Sequence, residues 1–203
     1  MICGRADGDT AIVWRVTEAG IWGPLVLESD PDAEYEIIAE AVSDQVGGVV
    51  TVVGDSNGSA KMWTVTLTEE GGLELNSESI LSSSGAAEGI NNLGKVCGRA
   101  LGEPVVWIGG IPLILAGEQP PRYLGYPYDI NDDGVVVGYT FITSAVVWSS
   151  PEANMVRLDK YLKNNSSLDY LNVARAVSES GEIVGYGWSN DTSSKAAFLA
   201  IPK

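Results

Sequence analysis

The stretch Ala87-Glu88-Gly89-Ile90-Asn91-Asn92-Leu93-Gly94-Lys95-Val96-Cys97-Gly98-Arg99-Ala100-Leu101-Gly102-Glu103-Pro104-Val105-Val106-Trp107 decides the fold. Short apolar runs at Ala87 to Ile90, Val96 to Gly98 and Pro104 to Trp107 alternate with segments rich in Asn and Gly. Runs of this length bounded by turn residues read as antiparallel strands, because Asn and Gly tolerate positive φ and Asn bonds its own backbone.

The same order recurs along the whole chain. The copies are Ile2-Cys3-Gly4 with Ala11-Ile12-Val13-Trp14, Val52-Val53-Gly54 with Ala60-Lys61-Met62-Trp63, and Val96-Cys97-Gly98 with Pro104-Val105-Val106-Trp107. They continue as Val136-Val137-Gly138 with Ala145-Val146-Val147-Trp148, and Ile183-Val184-Gly185 with Ala197-Phe198-Leu199-Ala200, where the Trp is lost. Upstream of each core except the first stands a strand ending in Ile or Val, then Asn or Ser, then a turn closing in Gly, as in Asp129-Ile130-Asn131-Asp132-Asp133-Gly134 and Ala176-Val177-Ser178-Glu179-Ser180-Gly181. Downstream of all but the last comes a Leu-bearing strand: Leu25-Val26-Leu27, Leu73-Glu74-Leu75, Leu113-Ile114-Leu115 and Met155-Val156-Arg157-Leu158. Periods of roughly 40 to 50 residues mean propellers, solenoids or arrays.

Each unit is therefore expected to be four short antiparallel strands, A to D. The chain reads as one all-β repeat domain over residues 1–203, with units at about 1–38, 39–86, 87–126, 127–173 and 174–203. Such sheets cannot bury both faces alone, so the expected architecture is a β-propeller-like ring of about five short blades. Its first unit lacks strand A and its last lacks strand D. The Gly ending strand B (Gly4, Gly54, Gly98, Gly138, Gly185) is expected to admit neighbouring backbone, and the Trp ending strand C (Trp14, Trp63, Trp107, Trp148) to pack between units. The incomplete end units leave edges that invite either a homo-oligomer through residues near Ala11 to Trp14 and Ala197 to Ile201 or closure of the ring by packing these two units directly together.

Composition excludes several functions. The chain has 12 Lys and Arg against 27 Asp and Glu, a formal charge of −15, which repels nucleic acid and anionic membranes. No apolar run approaches the ~20 residues of a membrane helix, and no basic segment followed by an apolar one opens the chain, so neither membrane insertion nor an export signal is expected within it. Cys3 and Cys97 occupy equivalent places in non-neighbouring units and read as small hydrophobes rather than a disulfide. The absence of His removes Ser-His-Asp and Cys-His mechanisms and His-ligated metals.

Gly54-Asp55-Ser56-Asn57-Gly58 matches a nucleophile elbow, yet it connects strands B and C where the elbow needs a helix. Asp129-Ile130-Asn131-Asp132-Asp133-Gly134 opens like a calcium loop, but the bidentate Glu position holds Thr140, which leaves at most a looser Ca²⁺ site and favours a hairpin turn. No metal or cofactor is expected. Glu40, Glu88, Asp129 and Glu179 are the acids on or beside the inner hairpin that a carboxylate-based hydrolase would need. The position after the strand B Gly varies as Arg5, Asp55, Arg99, Tyr139 and Tyr186, and together with Trp188 it is the expected ligand-binding position.

The pattern A-x-x-I-N-x-x-G-x-V-x-G, followed by A-F-L-W and a Leu strand, resembles the bacterial HAF repeat. The matches run through Ile90-Asn91, Gly94, Val96, Gly98 and Trp107, then Ile130-Asn131, Gly134, Val136, Gly138 and Trp148. The chain departs from it in having no His, and only Ala197-Phe198-Leu199 keeps the Ala-Phe pair. The resemblance implies a repeat fold and an extracellular or envelope location, and transfers no catalytic residue. Function is accordingly expected to be non-catalytic binding or scaffolding, with a protein, a glycan or a second copy as partner. The alternatives are a lectin-like reader with sugar pockets between units, using Tyr139, Tyr186 or Trp188, and a carboxylate-based glycoside hydrolase.

Overall fold

A computed structural model describes residues 1–7, 9–44, 47–117, 125–162 and 168–202. Gly8, part of the expected turn at Asp7-Gly8-Asp9, and part of the long turn before Gly47 lie outside the described residues. Among the described residues the chain is all-β and forms five antiparallel sheets. The first holds β1 (Ile2–Ala6), β2 (Thr10–Thr17) and β3 (Gly20–Ser29). The second holds β4 (Ile37–Val42), β5 (Val49–Ser56), β6 (Ser59–Leu67) and β7 (Leu73–Ser82). The third holds β8 (Gly85–Ile90), β9 (Val96–Ala100), β10 (Glu103–Ile108) and β11 (Ile111–Ile114). The fourth holds β12 (Gly125–Ile130), β13 (Val136–Thr140), β14 (Ala145–Trp148) and β15 (Val156–Arg157), and the fifth β16 (Tyr170–Val177), β17 (Ile183–Ser189) and β18 (Ser194–Ala200). The first sheet thus begins at strand B and the last ends at strand C.

Two expectations need correction. The D strand of the fourth unit is only Val156–Arg157, because Leu158–Tyr161 closes into a 3₁₀ turn that buries Leu158. The segment Ala11 to Trp14 is not a free edge, since β2 lies between β1 and β3 and its Ala11, Ile12 and Val13 are buried. The edge strands of the first sheet are β1 and β3.

The core is divided into four clusters, one between each pair of consecutive sheets. Trp63 packs with Ala11 and Val13, Trp107 with Val53 and Ala60, and Trp148 with Cys97, Val106 and Leu115, so each ring is pressed against the preceding unit. Trp14 is only half-buried. The fourth cluster sets Val137 and Ala145 against Leu171, Ala174 and Ile183. Sheet contacts follow chain order, with β4 on β1, β8 on β5, β12 on β9 and β16 on β13. Among the described residues the fifth sheet makes no comparable contact with the first.

The repeat Gly has a single steric reason. Each A strand carries a β-bulge immediately after the residue opposite the Gly: Ala39 faces Gly54, Ala87 faces Gly98, Pro127 faces Gly138 and Ala174 faces Gly185. The kink drives the carbonyl oxygen of Ile38, Ala86, Tyr126 or Val173 over the Gly, where a Cβ would overlap it far inside van der Waals contact.

The hairpin turns are stitched from unit to unit. The Asp44 N–H donates to Asn92 Oδ1 at 2.8 Å, the Asn92 N–H to Asp132 Oδ1 at 2.7 Å, and the Asp132 N–H to Glu179 Oε2 at 2.8 Å. Within the turns Asn91 Oδ1 accepts from the Lys95 N–H and Asn131 Oδ1 from the Val135 N–H, which is why Asn ends these strands. Gly54-Asp55-Ser56 runs on in strand β5 into the two-residue Asn57-Gly58 turn, both at positive φ, and no helix follows, so there is no nucleophile elbow.

Candidate functional site

A bulge leaves one residue of the A strand unpaired and re-aims its side chain. At the bulges beside the repeat Gly those residues are Glu40, Glu88, Tyr128 and Arg175, and β16 carries a second bulge at Asn172. Glu40, Glu88, Tyr128, Asp129 and Arg175 line one cavity of about 340 Å³. Three of the four acids singled out from the sequence therefore meet. Glu179 does not, because its carboxylate is held by the turn ladder.

Burial, and then the charge of Glu40, pushes the Glu88 carboxyl up to about 7, against the pull of Arg99. Burial also pushes Asp55 up to about 6, opposed by its hydrogen bond from the Gly58 N–H and by Arg99. Glu40 and Asp129 are raised by burial too, the latter despite N–H groups of Val177 and Ile130 donating to it at 2.9 Å. For Glu88 the folded pKa lies above the ordinary 4.5, so the folded chain keeps a proton that the unfolded chain gives up. That contribution is complete below 4.5 and is lost as pH rises to about 7. Thermal melts should therefore show stability falling from pH 5 to pH 8 in the wild type, with a shallower fall in Glu88→Gln; equal slopes would show that Glu88 titrates normally.

A second cavity of about 350 Å³ is a groove lined by Tyr128, Tyr139, Tyr170, Tyr186 and Trp188, with Thr143, Asn172, Val173 and Lys195. Tyr139, Tyr186 and Trp188 were all expected at a ligand site, and the fold brings them together. Arg5, Asp55 and Arg99 stand apart from this groove. Arg5 pairs with Glu36, and Asp55 Oδ1 caps its own turn through Gly58. The Arg99 guanidinium lies 4.6 Å over the Tyr126 ring.

Tyr126 stacks on Tyr139 at 4.8 Å, Tyr139 on Tyr128 at 5.4 Å, and Arg175 covers Tyr128 at 4.3 Å, so a ladder of rings capped by guanidinium groups connects the third unit to the fifth. Burial and the neighbouring Tyr139 push the Tyr128 hydroxyl up to about 12, which keeps it a hydrogen-bond donor. The groove is peculiar to units four and five, since the position of Tyr139 and Tyr186 is Arg5, Asp55 or Arg99 elsewhere. Tyr126, Tyr128, Tyr170 and Arg175 escape the sequence reading. The bulge that selects Tyr128 and Arg175 leaves no mark in residue type, although its place after the residue facing the repeat Gly is a usable signal.

Of the ligand positions in the calcium-like opening, Asp129 spends its oxygens on the backbone N–H groups of Ile130 and Val177, and Asn131 Oδ1 accepts from the Val135 N–H. Among the described residues no group of three or more Asp, Glu, His or Cys is arranged to hold a metal. Cys97 is buried and Cys3 half-buried, both are free, and burial raises both thiols. Among the described residues no helix is long and apolar enough to cross a membrane.

Compared with family models, curated proteins and solved structures, the chain matches none of them. The resemblance to the HAF repeat rests on the residue pattern quoted above.

Proposed function

We propose that the chain is a non-catalytic binding module of five-unit propeller type and that its ligand is a carbohydrate held in the aromatic groove. The observation that carries this is the convergence of Tyr139, Tyr186 and Trp188 with Tyr128 and Tyr170 on one groove edged by Asn172, Thr143 and Lys195. Aromatic rings offer flat apolar area to the C–H faces of a sugar, and the polar edge offers donors and acceptors to its hydroxyls. The propeller arrangement, with A strands innermost about a common axis, is supported by the single cavity to which all four A strands contribute. The HAF-like pattern favours placement at the envelope or outside the cell.

Titration of neutral oligosaccharides, followed by calorimetry and Trp fluorescence, tests this reading. Trp188→Ala and Tyr186→Ala should each weaken binding about tenfold, the upper end of what one aromatic contact contributes, at unchanged melting temperature. Absence of binding to any sugar on a glycan array would overturn it.

A second reading, carboxylate-based glycoside hydrolysis, is favoured by one observation: Glu40, Glu88 and Asp129 share a cavity, where burial pushes the Glu88 carboxyl up to about 7, the direction asked of a general acid. Release of reducing ends that stops in Glu88→Gln while binding persists would replace the non-catalytic reading.

A further inference from the structure

Resting on the carbohydrate reading above, we infer that the sugar held in the aromatic groove carries an anionic substituent, a carboxylate or a sulfate, and that the Lys195 ammonium is the group that selects it.

The chain holds 27 Asp and Glu against 12 Lys and Arg, so a surface of any size is expected to carry more acids than bases. The cavity shared by Glu40, Glu88 and Asp129 does so, with Arg175 as the cation that lines it. The groove inverts that balance. Among the described residues no Asp or Glu lines it, and Lys195 does. Asp169, next to Tyr170 in the chain, turns instead to the hairpin, where its Oδ2 accepts the Asn190 N–H at 2.6 Å.

Lys195 is placed to receive a ligand. It belongs to β18, faces Trp188 across the ladder, and holds its Nζ 5.0 Å from the centre of the Tyr186 ring. The side chain is exposed and, among the described residues, makes no ion pair with a carboxylate. Its contact with Tyr186 anchors a long side chain at the groove, which reduces the entropy lost when an ion pair forms there. An ammonium has three donors, and the ring occupies only the side that faces it.

Position along the strand keeps this cation clear of the acid cavity. Tyr128 lines both spaces, and Arg175, which covers its ring, bulges beside Gly185. Trp188 lies three residues beyond Gly185 on β17, about 10 Å at the rise of an extended strand. That exceeds the ~8 Å over which physiological salt screens a charge. The groove therefore has ends of opposite character: an anion is repelled at Tyr128 by the acids of the neighbouring cavity and attracted at Trp188 by Lys195. A bound sugar directs its anionic substituent toward Trp188.

The test is calorimetry of the full chain with tetrasaccharides in matched pairs: galacturonate and mannuronate oligomers, each beside its carboxyl-reduced counterpart, and a sulfated galactan beside its desulfated form. At about 50 mM salt the charged member of at least one pair should bind about fivefold more tightly than its neutral counterpart, the upper end for an exposed ion pair, and about 500 mM salt should bring the ratio close to one. The pair that shows the preference tells carboxylate from sulfate. Lys195→Gln should abolish the preference while leaving the melting temperature and the binding of the neutral member unchanged, and Lys195→Arg should keep it. Neutral members that bind as tightly as charged ones would overturn the inference and leave the carbohydrate reading intact. A preference that survives Lys195→Gln would place the anion away from Lys195 and overturn it as well. No binding by any of the six sugars overturns the inference too, and a blank glycan array overturns the carbohydrate reading with it.

Discussion

Trp148→Ala is expected to destabilise the chain by about 3–5 kcal/mol, the range for emptying a buried aromatic site. For a chain of this size each kcal/mol lowers the melting temperature by about 2–4 °C, so differential scanning calorimetry should record a fall of roughly 6–20 °C. The ring is fully buried against Cys97, Val106 and Leu115 of the preceding unit, and its Nε1–H donates to the Ala116 carbonyl at 2.9 Å. Trp107→Ala should cost a similar amount, and Trp14→Ala less, because Trp14 is only half-buried. Phe separates packing from hydrogen bonding. Trp148→Phe loses a bond, whereas among the described residues the buried Nε1 atoms of Trp63 and Trp107 have no partner, so Phe there removes an unsatisfied donor and should cost less. Near-wild-type stability of Trp148→Ala would show that the ring does not hold units together.

Gly98→Ala is the second large effect, expected near 3 kcal/mol, the upper end of overpacking costs. The added methyl group would fall on the Ala86 carbonyl oxygen, which belongs to backbone, and a Cβ has no torsion by which to swing aside. The bulge at Glu88 should then be lost, and because that bulge aims Glu88 into the cavity, the variant should also lose the Glu88 contribution to the pH dependence of stability. Chemical denaturation at pH 5 and pH 8 reads both consequences. A Gly98→Ala chain as stable as wild type would refute the assigned role of the repeat Gly.

Much of this was legible in advance because it is local. The alternation of apolar runs with Asn-Gly turns, and the recurrence of Gly and Trp at fixed places, locate the B and C strands and their pairing without any tertiary knowledge. Tyr139 and Tyr186 were readable as candidates only through the repeat alignment, which marked a position that varies where its neighbours do not. Glu179 looked equivalent to Glu88 by residue type and proximity to a turn. What separates them is geometry: Glu179 receives the Asp132 N–H of the neighbouring turn, while Glu88 sits on a bulge.

The sequence by itself located the B and C strands, the turns that join them and their antiparallel order within each unit. These follow from side-chain alternation and turn chemistry within some forty residues of chain. The tertiary structure alone decided which side chains share a cavity. Sheet stacking brings Glu40, Glu88, Asp129 and Arg175 together from four units, and bulges invisible in residue type choose the side that each bulged residue faces.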